Sequence, residues 1–224
     1  MLKSKFIRKP ARQLKYFGFK RLIFSAGMPR SGSTLLFNIV RFILEEEHQD
    51  DLSTAWINDL KTMPKGQAYL IKTHACDIFD RIRADKIFYS YRDIRDVMVS
   101  RWRKFGREPD MEIARYYIRQ YEFARKHADL VLKYEDFMND IPGTIDKVAE
   151  VLGQTITREQ ILAKLPDKEQ APKSKGDGRS DNMLHEGHAT GTMHDEWREV
   201  LPLQFQTQLL HEYEWWFKEN KYSL

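Results

Sequence analysis

The sequence predicts an α/β protein in which a mainly parallel β-sheet lies between two layers of helices. Short apolar segments typical of strands alternate along the chain with amphipathic segments typical of helices, and this alternation favours parallel pairing. A glycine-rich turn joins the first apolar segment to the first helical one, and polar residues follow each of the next two strands. Such sheets bind ligands at the carboxyl ends of their strands, so we expect the functional residues there.

Four segments are short, apolar and rich in β-branched or aromatic residues, as buried strands are. They are residues 21–26, 68–72, 86–91 and 129–134. Five further segments are predicted to be helices, and they span residues 33–47, 93–105, 111–127, 141–153 and 204–220. In the first of them, apolar residues at positions 36, 39, 40 and 43 have the spacing of one helical face.

Helix ends are marked by the residues that usually stand there. Asp93 is placed to cap the helix that follows the third strand. Pro142 lies near the start of the predicted helix 141–153, and Gly153 is expected to end it.

The length of 224 residues fits one domain. We predict a single domain over residues 21–224, preceded by a basic arm over residues 1–20 that carries no acidic side chain. The polar, glycine-rich segment 166–192 is long for a connection in a compact domain. We therefore expect a flexible loop or a lid at about 166–192.

Charge and cysteine usage limit the class of protein. The net charge of +4 fits an anionic ligand and does not require nucleic acid, so we predict no nucleic-acid partner. The single cysteine, Cys76, can form neither a disulfide framework nor a multi-cysteine metal site, which favours a reducing, cytoplasmic location. No apolar run is long enough to predict a membrane span.

Residues 27–34, which read GMPRSGST, have the spacing of a phosphate-binding loop. Gly27 and Gly32 allow the tight turn and the close approach to an anion that such a loop needs. The backbone N–H groups of residues 31–34 would point into the loop, where the dipole of the following helix also favours an anion.

The lysine that reaches the β and γ phosphates in nucleoside triphosphatases is absent from this loop, and Ser33 stands in its place. The cation of the loop is instead Arg30, three positions earlier. A guanidinium is a planar fork that suits a single phosphate. The loop therefore favours one terminal phosphate over a triphosphate chain with magnesium.

Two more groups of polar residues follow strands. Lys72 and His74 share one face of an extended backbone, which suits transfer of an anionic group to a hydroxyl, with the histidine as base and the lysine balancing charge. Arg92 follows the third strand, and Ser100 lies eight residues later, so the two could converge on a second anion. Asp93 has an alternative interpretation as a magnesium-holding acid.

These fragments, in this order, resemble the sulfotransferase family, whose members transfer a sulfuryl group from PAPS (3′-phosphoadenosine 5′-phosphosulfate) to a hydroxyl or amine. PRSGSTLL is similar to the family's 5′-phosphosulfate loop, and YRDIRDVMVS is similar to its 3′-phosphate motif. KTH resembles the strand end that carries the catalytic base. LVLKYEDF (130–137) and GTMHDEW (191–197) resemble later segments of the family.

The resemblance implies a P-loop-containing, sulfotransferase-like fold, PAPS as co-substrate, PAP as product and no metal. It assigns the 3′-phosphate to Arg92 and Ser100, the sulfate to Lys72, and the proton of the acceptor hydroxyl to His74. The 5′-phosphate is assigned to a larger set: Arg30, Ser31, Gly32, Ser33 and Thr34. Leu35 departs from the family pattern, because many members have a tryptophan there that stacks on adenine.

Two other functions stay open at this point: an ATP-dependent small-molecule kinase, and a nucleotide-binding protein of the same fold without turnover. Because some branches of the family use a carboxylate as base, the acidic run 45–51 is an alternative to His74. The acceptor is expected to be a small molecule or a carbohydrate. The aromatic residues that could line its pocket are Trp56, Trp102, Phe105 and Tyr116.

Overall fold

The structure is a computed structural model that describes residues 21–62, 66–77, 84–165, 183 and 195–224. The predicted basic arm 1–20 lies outside the described residues, and so does the predicted lid at 166–192 except for Met183. Among the described helices, none combines the length and the hydropathy that a membrane-spanning segment needs.

The core of the fold is a five-stranded sheet. Its strands are β1 (Arg21–Gly27), β2 (Leu52–Trp56), β3 (Ala68–Lys72), β4 (Lys86–Tyr91) and β5 (Leu130–Lys133), in the spatial order β2-β3-β1-β4-β5. Every neighbouring pair is parallel, which confirms the predicted sheet. The four predicted strands are all present within a residue or so of their predicted bounds.

The edge strand β2 was not predicted from the sequence. Only Ser53 and Ala55 are buried in it, and the residues on either side of them are half-buried. A five-residue edge strand with polar members lacks the continuous apolar run that marks the inner strands. β2 also follows directly after the acidic run 45–51, so the sequence around its start is charged rather than apolar.

Eight α-helices are present in the described part. They are α1 (Ser33–His48), α2 (Ile94–Phe105), α3 (Met111–His127), α4 (Tyr134–Asn139), α5 (Ile141–Leu152), α6 (Arg158–Lys164), α7 (Trp197–Val200) and α8 (Leu203–Glu219). The five predicted helices are confirmed, whereas the short α4, α6 and α7 were not predicted. Short 3₁₀ segments, Gln49–Asp51 and Ile57–Thr62, flank β2.

The predicted helix signals are confirmed. The carboxylate of Asp93 accepts a hydrogen bond of 2.9 Å from the N–H of Arg95, at the start of α2. Pro142 lies in the first turn of α5, and Gly153 ends that helix in the left-handed region with φ of 72°.

Helices cover both faces of the sheet, because alternate residues of each inner strand pack to opposite sides. On β1, Leu22 and Phe24 belong to one hydrophobic cluster, which includes α2, α3 and α8. Ile23 belongs to a second cluster, which includes α1 and α5. The predicted three-layer arrangement is therefore confirmed.

The strand order reverses between β1 and β4. The connection after β1 leads to β2 at one edge of the sheet, whereas the connection after β4 leads to β5 at the other. The carboxyl ends of the two strands are adjacent, with Gly27 in register with Ser90. This is where open α/β sheets place their ligands.

Candidate active site

The loop between β1 and α1 passes so close to its neighbours that both of its glycines are required. A Cβ on Gly27 would lie 2.4 Å from Oγ of Ser90, on β4. Gly32 has φ of +71°, and a Cβ there would lie 2.4 Å from Cζ of Phe137. The loop is thus confined between β4 and the segment after β5.

Ser31 ties this loop to β4. Its hydroxyl lies 2.7 Å from the carbonyl oxygen of Met28 and 2.8 Å from the hydroxyl of Ser90. Its backbone N–H also donates to Met28, at 3.3 Å. The side chain and N–H of Ser31 are therefore engaged in the fold of the loop itself.

The amino terminus of α1 offers N–H donors to an anion. The N–H of Leu36 is the first to bond within the helix, to the carbonyl of Gly32 at 3.1 Å, and no side chain caps this end. The N–H groups of Ser33 and Thr34 come before that bond, so no carbonyl group of the helix accepts a hydrogen bond from them. Both residues are buried within the loop.

Arg30 connects the loop with α2. Its Nε donates a hydrogen bond of 2.8 Å to Oγ of Ser100, 70 residues away in the chain. Burial lowers the pKa of Arg30, and the charge of Arg92 lowers it further. The structure therefore brings together the three residues predicted for two separate phosphates.

Arg92 lies in a buried position at the end of β4. Its guanidinium stacks over the ring of Tyr134 at 4.6 Å and lies 3.6 Å from the carboxylate of Asp96. An aromatic face and a carboxylate fix the guanidinium at the point where the sheet order reverses.

Lys72 reaches the same loop from β3. Its buried ammonium donates a hydrogen bond to the hydroxyl of Thr34 and lies 5.7 Å from the ring of Phe37. The predicted sulfate-binding lysine is thereby placed beside the first turn of α1.

His74 is held at the beginning of the loop. Its Nδ1 lies 3.0 Å from the carbonyl oxygen of Gly27. A carbonyl only accepts, so Nδ1 carries the proton and the lone pair of the neutral ring is on Nε2. Burial lowers the pKa of His74 to about 4, with a smaller contribution from Lys72, and the hydrogen bond to Gly27 opposes this. The imidazole is therefore neutral at physiological pH.

The acidic run 45–51 lies at the other end of α1. Glu45 forms an ion pair of 2.6 Å with Arg41, and Glu47 forms one of 2.5 Å with Arg21. Because α1 has 16 residues, its two ends are roughly 24 Å apart. These carboxylates are far from Lys72 and His74, as expected for a solvated helix end.

Two residues of the site, Tyr134 and Lys104, were not found by reasoning from the sequence. Tyr134 lies under Arg92. Trp56 was considered for the acceptor pocket, but its contact with His74, with ring centroids 4.9 Å apart, was not predicted. Burial lowers the pKa of Lys104 to about 8, and the charge of Arg30 contributes. Lys104 lies four residues after Ser100, on the same face of α2. This spacing was the feature of the sequence from which its place beside the site could have been predicted.

A network from the carboxyl-terminal segment supports the turn after β4. Arg95 forms an ion pair of 2.6 Å with Asp93 and lies between the rings of Trp197, at 3.6 Å, and Phe217, at 4.3 Å. It also donates to the carbonyl of Ser223 at 2.7 Å. The cap next to Arg92 is thus braced by α7, α8 and the residues after them.

The described residues contain no group of three His, Cys, Asp or Glu side chains arranged to hold a metal ion. The residues implicated by the sequence instead form a cationic site at the carboxyl ends of β1, β3 and β4. It combines N–H donors, two guanidinium groups, an ammonium and a neutral imidazole, which suits an anionic substrate and a proton acceptor beside it.

Solved structures that are similar to this chain include a retinol dehydratase and a sulfotransferase. A retinol dehydratase in complex with retinol and PAP aligns over 89% of this chain and 80% of its own, with 16% identity and a TM-score of 0.58. Mouse sulfotransferase SULT7A1 complexed with PAP aligns over 85% and 81%, with 14% identity and a TM-score of 0.59.

A retinol dehydratase complex with androsterone and the inactive cofactor PAP gives 18% identity and a TM-score of 0.52, over 95% of this chain and 81% of that one. No protein-family model matches the sequence, and no curated protein matches it. At these identities the likeness concerns the fold, and the chain has the P-loop-like fold of the PAPS-dependent sulfotransferases.

Proposed function

We propose that this protein transfers a sulfuryl group from PAPS to the hydroxyl, or the amine, of a small-molecule or carbohydrate acceptor. The observation that carries the proposal is the 2.8 Å hydrogen bond from Arg30 to Ser100, which joins the loop to the motif after β4. The neighbours in the structural comparison were crystallised with PAP, and two of them with the alcohols retinol or androsterone. A cytoplasmic location is part of the proposal.

The site suits a ligand with two separate phosphate groups. Arg30, with the N–H groups of residues 32–34, would hold the 5′-phosphate, and Arg92 with Ser100 would hold the 3′-phosphate. The pKa of Arg30 is lowered by burial and by Arg92, so an anion bound between the two guanidinium groups would offset their repulsion. Ser31 contributes to the site by holding the loop in shape.

In the proposed reaction the acceptor hydroxyl oxygen attacks the sulfur of PAPS, on the side opposite the leaving phosphate oxygen. The bond from sulfur to that oxygen breaks, PAP leaves, and the hydroxyl proton passes to Nε2 of His74. The ammonium of Lys72 balances charge on the transferred group. Positioning and electrostatic stabilisation would supply most of the rate.

The kinase alternative is disfavoured by the contact between Lys72 and Thr34. In a triphosphatase loop the hydroxyl at the position of Thr34 is a magnesium ligand. Here that hydroxyl accepts a hydrogen bond from an ammonium, and an ammonium so placed repels a divalent cation. The position of the catalytic loop lysine is occupied by Ser33, which is buried.

The alternative of a binding protein without turnover is tested at His74. A site that only binds has no need of a base, whereas His74 is neutral with its lone pair on Nε2. We expect His74→Ala to abolish sulfuryl transfer while PAP binding survives. Transfer near the wild-type rate in His74→Ala would contradict the assignment of the base.

The decisive experiment is a thermal titration with PAP and, separately, with magnesium-ATP. A ligand that binds only the folded state stabilises it by about 2.7 kcal/mol at a hundred times its Kd. We expect PAP to raise the melting temperature, Arg92→Ala to lose most of that shift, and magnesium-ATP to have no effect. A shift with magnesium-ATP and none with PAP would replace this proposal by the kinase.

A further inference from the structure

Trp56 is the aromatic residue in contact with the proposed base. Three of the four aromatic side chains considered for the acceptor pocket have clearly different surroundings. Tyr116 packs beside Tyr117, with ring centroids 5.8 Å apart, and Phe105 is 54% exposed on α2. Trp56 ends β2 in register with Lys72, and its ring meets His74 edge-on, with centroids 4.9 Å apart and planes at 70°.

One hydrogen bond does not fix an imidazole. The bond from Nδ1 to Gly27 decides which nitrogen carries the proton, but the ring can still swing about that contact. The ring of Trp56 blocks one direction of this swing and covers part of the imidazole. Edge-to-face aromatic pairs add stabilisation beyond that of their buried area, and this favours one orientation of the imidazole.

We propose that Trp56 is the positioning residue of the base, because its ring holds the imidazole of His74 with Nε2 directed at the acceptor and shields that ring from water. The inference rests on the proposed function, in which His74 takes the proton. Its physical content, the orientation and shielding of the imidazole, is measurable without turnover.

The protonation of His74 supplies the readout. Burial is the largest cause of its lowered pKa, and the ring of Trp56 lies against the imidazole. The charged groups that face the imidazole in the described part of the chain are Lys72, from β3, and Arg30, from the loop. A substitution at Trp56 leaves both in place, so a change in protonation reports the shielding.

The test is an NMR titration of the histidine Cε1–Hε1 signals between about pH 5 and pH 8. The signal of His74 is assigned by its loss in His74→Gln. In the wild type we expect it to stay at the neutral position throughout. In Trp56→Ala we expect it to titrate within the range, and in Trp56→Phe to stay neutral, because a ring is retained.

Turnover supplies the second readout. We expect Trp56→Ala to lower kcat about tenfold or more, which is a barrier increase of about 1.4 kcal/mol, with the PAP affinity changed by less than about twofold. Trp56→Phe should recover most of kcat. Trp215→Ala is the matched control, because Trp215 is 40% exposed on α8 and its loss should change neither readout.

The outcomes separate the inference from the proposed function. If His74 stays neutral and kcat is unchanged in Trp56→Ala, the inference is overturned while the sulfotransferase stands. If His74 titrates in Trp56→Ala but the wild type transfers no sulfuryl group, the shielding is real and the proposed function fails. If Trp56→Ala does not fold, Trp56→Leu keeps apolar bulk without the ring and is judged by kcat, which should fall in Trp56→Leu and be mostly retained in Trp56→Phe; an unchanged kcat in Trp56→Leu overturns the inference.

Discussion

The proposed base, His74, should stay active at pH values well below the usual pKa of histidine. Burial, and then the charge of Lys72, lower the pKa of His74 to about 4, whereas an unperturbed histidine titrates near 6.5. The acidic limb of kcat/KM reports the base in the free enzyme. We therefore expect sulfuryl transfer to persist down to about pH 5 and to fall only near pH 4.

The same shift makes a prediction for stability, and its sign is determined by where the proton binds. Between about pH 6.5 and pH 4, His74 is protonated in the unfolded chain but stays neutral in the folded chain. Because the unfolded state binds more protons, lowering the pH favours unfolding. The contribution is fully present above the unfolded pKa and is lost as pH falls. At 1.36 kcal/mol per pKa unit the loss approaches roughly 3 kcal/mol at pH 4.

The assay compares the wild type with His74→Gln, which cannot take up the proton. Urea unfolding of both proteins at several pH values between about 4 and 7 gives the difference in their free energies of unfolding, so titrations elsewhere in the chain cancel. The wild type should lose stability relative to His74→Gln as pH falls. A constant difference, or an acidic limb of kcat/KM near pH 6.5, would refute the reasoning.

Three further substitutions test the loop, the link to α2 and the brace behind it. Gly32→Ala should cost at least about 1–2 kcal/mol in urea unfolding, because φ of +71° is strained for alanine and its Cβ would meet an aromatic ring. Ser100→Ala should weaken PAP binding about tenfold in calorimetry, since Arg30 loses its acceptor at 2.8 Å. Arg95→Met should lower the free energy of unfolding by about 3–5 kcal/mol, because it leaves the carboxylate of Asp93 buried without its ion pair.

The control for the last substitution is Arg103→Met. Arg103 forms an ion pair of 2.6 Å with Glu196, but its side chain is 40% exposed. Exposed pairs of this kind are worth about 0–1 kcal/mol. If both variants lost the same free energy of unfolding, burial would not be the reason that Arg95 stabilises the fold.

The inner strands and the loop could be predicted because their signals are local. Strands that are buried on both faces, such as β3, read as unbroken apolar runs, and the spacing of Gly27 and Gly32 marks the turn. The edge strand β2 has no such run, so it was missed. Missing β2 also hid the contact between Trp56 and His74, since that contact depends on β2 pairing with β3.

The contact between Arg30 and Ser100 was beyond prediction for a different reason. The sequence suggested two phosphate sites, one for each motif, and gave no indication that the two side chains touch. Arg30 makes this contact from a left-handed backbone, with φ of 69°, which is uncommon outside glycine. Tertiary confinement of the loop, rather than the preference of the residue, accounts for that conformation.

Lys72 brings an ammonium to a loop that has no lysine of its own. A lysine at position 33 would project from the first turn of the helix towards a ligand lying along the loop. Lys72 instead enters from β3 and reaches the first turn of α1 through Thr34. The cation is thus displaced to the side where His74 stands, two residues further along the chain. In the proposed reaction a charge placed there serves the sulfuryl group that passes between the loop and His74, whereas a triphosphate chain would need it within the loop.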